Sequence, residues 1–117
     1  MAEEKNFENK LKSFLKDRGC WYIKYWGGAK YTKEGIPDIL ACVNGNFFGI
    51  EIKASRGRPK LIQLVNLKRI RSAGGIGVLV YPGDWEGFTD LVITGKVNPW
   101  YANNIKLQEE WFKKLNT

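Results

Sequence analysis

Three side chains stand out for the chemistry their types and spacing allow: Asp38, Glu51 and Lys53, all within GIPDILACVNGNFFGIEIKAS at residues 35–55. The stretch reads as two apolar strands around Asn44-Gly45, yet it carries charges where a core strand would prefer Val or Ile. Asn-Gly between apolar runs is a strong hairpin signal, because both turn residues need positive φ. A two-residue turn sets the register: Val43 faces Asn46, and counting outward brings Asp38 opposite Glu51. Opposed Cβ atoms lie about 5 Å apart, and like charges in that arrangement destabilise a sheet. If the pair is partly buried, one acid takes up a proton at neutral pH unless a positive charge relieves it. Lys53, two residues beyond Glu51 on the same face, can supply part of that charge.

Two carboxylates and a backbone carbonyl at one end of a hairpin suit Mg²⁺, which prefers oxygen ligands and keeps several waters. The carbonyl of Ile52, between Glu51 and Lys53, is the natural third ligand. A metal-bound water beside an ammonium group is a phosphodiester hydrolysis site: the ion clamps the phosphate and acidifies the water, while Lys53 orients it or balances developing negative charge. The competing structural reading is a solvated strand face with a surface Glu-x-Lys pair and a Pro-Asp strand start. That reading leaves the opposed acids unexplained.

The elements that must position these groups follow from periodicity. Residues 4–18 place Phe7, Leu11, Phe14 and Leu15 on one helix face, and Gly19 is a natural stop. CWYIKYW at 20–26 is strand-like, GGAKYTKEG at 27–35 loop-like, and the hairpin strands cover about 36–43 and 46–54. On the hairpin, Pro37, Ile39, Ala41, Phe48, Ile50 and Ile52 share a core face. Asp38, Leu40, Cys42, Phe47, Gly49, Glu51 and Lys53 share the other. SRGRPK at 55–60 is a basic loop with Pro59 placed for a first helical turn, and a helix over about 60–73 stops at Gly74-Gly75. IGVLVY at 76–81 is apolar on both faces, as a buried parallel strand should be. Beyond Pro82-Gly83, DWEGFTDLVIT and the tail from Asn103 read as helices separated by the loop GKVNPW at 95–100. The expected class is α/β: an αβββαβ core with a mixed sheet flanked by helices, plus C-terminal helical additions.

Composition narrows the function. With 117 residues, 44% hydrophobic, the chain suits a single domain over 1–117, its core at about 5–81 and its helical extension at about 82–117. Nineteen Lys and Arg against twelve Asp and Glu give a net charge of +7, which favours a polyanionic partner, nucleic acid first. The chain has no histidine, which excludes His-ligated zinc hydrolases and Ser-His or Cys-His catalysis. Cys20 and Cys42 match no metal-ligand spacing and read as reduced thiols. No run is long and apolar enough for a membrane span, so no membrane partner is expected. The expected location is cytoplasmic, in a bacterium or a phage-infected host.

Pro37-Asp38 followed by Glu51-Ile52-Lys53 across a hairpin resembles the PD-(D/E)XK nuclease superfamily, whose restriction-endonuclease-like core has the same αβββαβ order. GIPDIL, FFGIEIKAS, the Gly-Arg-Pro loop, Gln63 and AGGIGVLV look like its VRR-NUC group, which includes small phage-type nucleases related to Holliday junction resolvases. The resemblance implies that Asp38 and Glu51 are metal ligands, Lys53 the catalytic lysine and Gln63 a supporting glutamine. It also makes Glu8 the helix acid that completes metal binding through water, although Glu8 reads equally well as a solvated residue bordering the Leu11 and Leu15 stripe. The helix start PKLIQ departs from the family's Ser-Pro-x-Gln pattern, which bears on how Gln63 points.

Lys30 and Lys33 before the site, and Arg56, Arg58 and Lys60 after it, would track a DNA backbone. Taken together, these residues imply a Mg²⁺- or Mn²⁺-dependent endodeoxyribonuclease acting on branched DNA such as Holliday junctions. Paired symmetric cuts imply a homodimer, with Trp111 and Phe112 of the tail as a candidate contact. The alternatives are a single-strand or end-dependent nuclease of the same fold, or a non-catalytic basic DNA-binding module.

Overall fold

Asn44 and Gly45 adopt φ of 50° and 83°, and the hairpin they close has the register read from sequence, Val43 with Asn46 through Ile39 with Ile50. It is the centre of a computed structural model that describes residues 2–27 and 33–117. The elements are α1 (Ala2–Asp17), β1 (Trp21–Lys24), β2 (Ile39–Val43), β3 (Asn46–Ile52), α2 (Leu61–Ser72), β4 (Ile76–Val80), a 3₁₀ turn (Pro82–Asp84), α3 (Trp85–Thr94) and α4 (Pro99–Leu115). The sheet order is β1-β2-β3-β4; β1, β2 and β3 are antiparallel neighbours, and β4 runs parallel to β3. This is the mixed, helix-flanked α/β sheet expected.

Each face of the sheet has its own core. On one, Phe7, Leu11 and Leu15 of α1 and Phe88, Leu91 and Val92 of α3 bury Ile39, Ala41, Phe48, Ile50, Val78 and their neighbours. On the other, Leu64 and Leu67 of α2 pack with Leu79 and with Leu107, Trp111 and Phe112 of α4. The α2 backbone lies so close to β4 that a Cβ on Gly77 would stand 2.6 Å from the Leu67 carbonyl oxygen. Only glycine permits that approach.

The outer edge of β4 is closed by side chains instead of a strand. Asn104 accepts the Leu79 N–H at 3.0 Å and donates to the Leu79 carbonyl at 2.7 Å, while Gln108 donates to the Gly77 carbonyl at 2.9 Å and to Asn104 Oδ1 at 2.8 Å. Arg71 donates to Gln108 Oε1, which completes the cluster. Two amides at i and i+4 of α4 thus replace a neighbouring strand, because an asparagine side chain offers the donor and acceptor pair of a peptide.

Several expected boundaries shift. α4 begins at Pro99 instead of Asn103: Asn98 is its N-cap, accepting the Tyr101 N–H at 2.8 Å, and Pro99 fills N1. Pro59 lies just outside α2, whose N-cap is Lys60. The hairpin strands are shorter than expected, because β2 starts only after Asp38 and β3 ends at Ile52, before Lys53.

Candidate active site

Asp38 precedes the first residue of β2, and its backbone carbonyl accepts the Tyr25 N–H at 2.9 Å from the β1 side. Its backbone therefore faces away from β3, as the register requires: 38 with 51 continues the ladder as a non-hydrogen-bonded pair, the kind with the closer side chains. The next pair, 37 with 52, should exchange hydrogen bonds, but Pro37 has no N–H to give. Instead the Ile52 N–H donates to Asp38 Oδ2 at 2.8 Å. In an extended residue N–H and C=O point to the same side, so the Ile52 carbonyl faces Asp38 without its usual ladder donor. Proline in Pro37-Asp38 thus has a physical role, clearing a backbone oxygen at the strand end.

Glu51 is 2% exposed, and its Oε1 has no hydrogen-bond partner among the described residues. Burial, then the nearby Asp38 charge, push its carboxyl up to about 8, with Lys53 only partly offsetting them. Lys53 Nζ is 3.4 Å from Glu51 Oε2. A buried, half-partnered carboxylate beside a second carboxylate and a backbone oxygen freed by Pro37 is a set of hard oxygen donors at one strand end. These residues fit a small divalent cation. Among the described residues no third acidic, His or Cys ligand gathers around them.

Glu8 is buried, at 4% exposure, and is not the solvated helix residue that sequence left open. Its Oε1 accepts from Lys24 Nζ at 2.6 Å, and Lys12 Nζ lies 3.3 Å from Oε2. Burial raises its carboxyl, but the hydrogen bond and charge of Lys24, with help from Lys12, outweigh this and leave it lowered. Lys24 also reaches Asp38 Oδ1 at 3.6 Å, so an ammonium links Glu8 to Asp38. Burial disfavours that ammonium, yet Glu8 and Asp38 hold its pKa above the ordinary lysine value. Sequence reading missed Lys24. Its signal is its position as the only charge within WYIK, one residue before the Tyr25 that bonds Asp38.

The site straddles the strand end and does not keep to one face. Lys24 pairs with Ile39 in register and shares its face, toward α1, whereas Glu51 lies opposite Leu79 in β4 on the α2 face. Asp38, in the bend before β2, reaches Lys24 and lies near enough to Glu51 for its charge to raise that carboxyl.

Gln63 is engaged elsewhere: its Oε1 accepts the Lys60 N–H at 2.9 Å and caps α2. Lys33, Arg56, Arg58 and Lys60 are exposed, and Lys30 lies outside the described residues. The basic loop is tied down at two points that sequence did not signal. Ser55 donates its N–H and Oγ–H to Glu3 at 3.0 and 2.5 Å, and Tyr81 Oη donates to the Gly57 carbonyl at 2.8 Å.

A search of curated proteins returns no match. The profile of a family described as archaeal Holliday junction resolvase (Hjc) matches residues 2–72, from α1 through the end of α2. That span includes Glu8, Lys24, Asp38, Glu51, Lys53 and Gln63 and stops short of β4, α3 and α4. The chain belongs to the archaeal Holliday junction resolvase family, and through it to the PD-(D/E)XK nuclease superfamily.

Proposed function

We propose that this chain is a Mg²⁺- or Mn²⁺-dependent endodeoxyribonuclease that hydrolyses phosphodiester bonds in branched DNA, four-way junctions above all, during DNA repair or recombination. The observation that carries this reading is the buried Glu51 carboxylate, with one oxygen unpartnered among the described residues and Asp38 beside it. Such a pair is costly in a fold that needs only stability. It is suited to a site completed by a cation. Asp38, Glu51 and the Ile52 carbonyl would hold the ion, which when bound supplies an acidified water and a clamp on the phosphate.

Lys53 stays close to Glu51, where its ammonium orients the attacking water or balances charge on the phosphate as it builds. Lys24, itself held by Glu8, braces Asp38 from behind, and Glu8 would meet a bound ion only through water. Gln63 acts as a positioning residue through the start of α2. Lys33, Arg56, Arg58 and Lys60 would meet the DNA backbone, and Lys30, outside the described residues, is given the same role from its place in the sequence. Within the superfamily, the runs GIPDIL, FFGIEIKAS and AGGIGVLV keep the VRR-NUC-like, phage-type reading open to test.

A homodimer follows from the need for paired cuts. Trp111 and Phe112 are partly buried against the chain's own α2 core, so the tail offers only a small contact surface. Trp21, Ile23 and Phe47, which are 63%, 42% and 47% exposed, lie with Leu40 and Cys42 on the sheet face away from α1. A second copy covering this face is the better reading.

The test uses labelled four-way junctions, forks, flaps, linear duplex and single strands, with Mg²⁺, Mn²⁺ or EDTA, beside Glu51→Gln and Lys53→Ala. Metal-dependent cutting of junctions by the wild type, lost in both variants, is expected. Wild type that binds junctions and cuts none with either metal overturns the nuclease reading.

A further inference from the structure

Between the basic loop and α4 lies an open groove of about 320 Å³, with Arg56 and Arg58 on one side and Tyr81, Leu107 and Trp111 on the other. It starts at Ser55, two residues after Lys53. Its walls are held in place: Tyr81 Oη is bonded to the Gly57 carbonyl at 2.8 Å, and Glu3 grips Ser55. Trp111 is only partly buried against the α2 core, and Lys114 Nζ stands 5.1 Å from its ring centroid. Leu107 and Trp111 belong to α4, outside the span matched by the family profile. The basic loop was expected to touch phosphates; nothing in that expectation accounts for an aromatic wall facing it.

Cations that follow a backbone, set against aromatic faces, are the recurring means of holding single-stranded nucleic acid. A paired base inside a duplex exposes only its edges, so an aromatic wall gains a stacking partner only when a base is unpaired. We infer that this groove binds an unpaired nucleotide of the DNA next to the scissile bond, its base against Trp111 and Tyr81 and its flanking phosphates on Arg56 and Arg58. The inference rests on the nuclease reading of the adjacent carboxylates. It adds that the substrate's strand is opened beside the cut, and that the C-terminal extension takes part in holding it.

Binding can be measured apart from cutting. Fluorescence anisotropy in EDTA compares a labelled twelve-nucleotide oligo(dT) with an abasic strand of the same length and charge. The wild type should bind oligo(dT) about tenfold more tightly than the abasic strand. Trp111→Leu should remove most of that preference and leave the salt dependence unchanged, while Trp111→Tyr should keep the preference. Arg56→Ala and Arg58→Ala should each lower the slope of log affinity against log salt by about 0.7 and spare the base preference. Equal binding of the two strands by the wild type overturns the inference without relying on any variant's folding. The outcomes also separate the two readings. Junction cutting in Mg²⁺ with no base preference removes the groove and leaves the nuclease, whereas base preference with no cutting in either metal removes the nuclease and leaves the groove.

Discussion

Two buried polar clusters flank the parallel strand pair, and they are built on opposite rules. At the β4 edge, Asn104 and Gln108 are 3% and 2% exposed, and their amides meet the Leu79 and Gly77 backbone, Arg71 and each other. At the end of β3, Glu51 is equally buried, yet one oxygen has no partner among the described residues and a second carboxylate stands beside it. Desolvated polar groups are normally satisfied, and an exception calls for a reason beyond folding. The first cluster behaves as structure, standing in for a missing strand. The second leaves a buried carboxylate oxygen unmatched among the described residues, which is why the proposed function rests on it.

The largest test of that contrast is chemical. Glu51→Gln and Lys53→Ala should each lower metal-dependent junction cleavage at least about a hundredfold, the scale of losing one preorganised electrostatic group. Both proteins should still fold. Thermal melting in EDTA should show Glu51→Gln to be no less stable than wild type at pH 8, since the amide removes a buried charge of nearly the same shape. A Glu51→Gln protein that cuts as fast as wild type would mean that the incomplete cluster is not the active site.

The next effect reverses the pattern. Asn104→Leu deprives the Leu79 N–H and C=O of partners and removes one of Gln108's three bonds, at a cost of about 3 kcal/mol. Urea unfolding should show this loss, while cleavage per folded molecule stays within about threefold of wild type. If stability is unchanged, the edge groups have found other partners and the cluster is not what fastens α4.

Much of the second cluster was legible because its position is a matter of counting. Asn44-Gly45 sets the register, observed as far as Ile39 with Ile50, and one more step along it brings Asp38 toward Glu51. The fold class followed from the same logic, through helix faces and an apolar parallel strand. Lys24 was not legible, because its contact with Glu8 depends on how α1 lies across β1, and no spacing encodes that crossing. Glu8 was ambiguous for the same reason. The Asn104 and Gln108 pair was hidden by chemistry: buried amides at i and i+4 look like any exposed helix face until the strand edge they complete is known. Gln63 was read toward the site because of its family position, whereas PKLIQ places it at N3, where it caps the helix.

A smaller effect distinguishes the clusters by pH. Burial and Asp38 raise Glu51 from 4.5 to about 8, so between those values the folded chain keeps a proton that the unfolded chain releases. Its contribution is therefore fully present below about pH 4.5 and is lost as pH rises through about 8. Glu8 and Glu3 are shifted the other way, so their contributions fail only as pH falls below the ordinary carboxylate range. In EDTA, stability should accordingly fall by on the order of 2 kcal/mol from pH 5 to pH 8, and Glu51→Gln should flatten that dependence. The amide cluster contributes nothing to it. Mg²⁺ or Mn²⁺ should raise the melting temperature more at pH 8 than at pH 5, since it favours the ionised form. A dependence that survives Glu51→Gln would place its origin elsewhere.

The smallest effect concerns Gln63, the residue whose membership in either class is least settled by its neighbours. Its Oε1 caps α2 through the Lys60 N–H, and Lys60 ends the basic loop that leaves the site. Gln63→Ala removes the cap and should cost about 1 kcal/mol. Gln63→Glu keeps an acceptor at the same place and should restore the stability. If Gln63 acts only by holding the start of the helix and its loop, cleavage should follow stability: a few-fold loss in Gln63→Ala at saturating Mg²⁺, recovered in Gln63→Glu. A loss above tenfold in both variants, with melting unchanged in Gln63→Glu, would mean that the carboxamide itself meets water or phosphate. Gln63 would then belong with Glu51 and Lys53, and the boundary between the two clusters would have to be redrawn to include the first turn of α2.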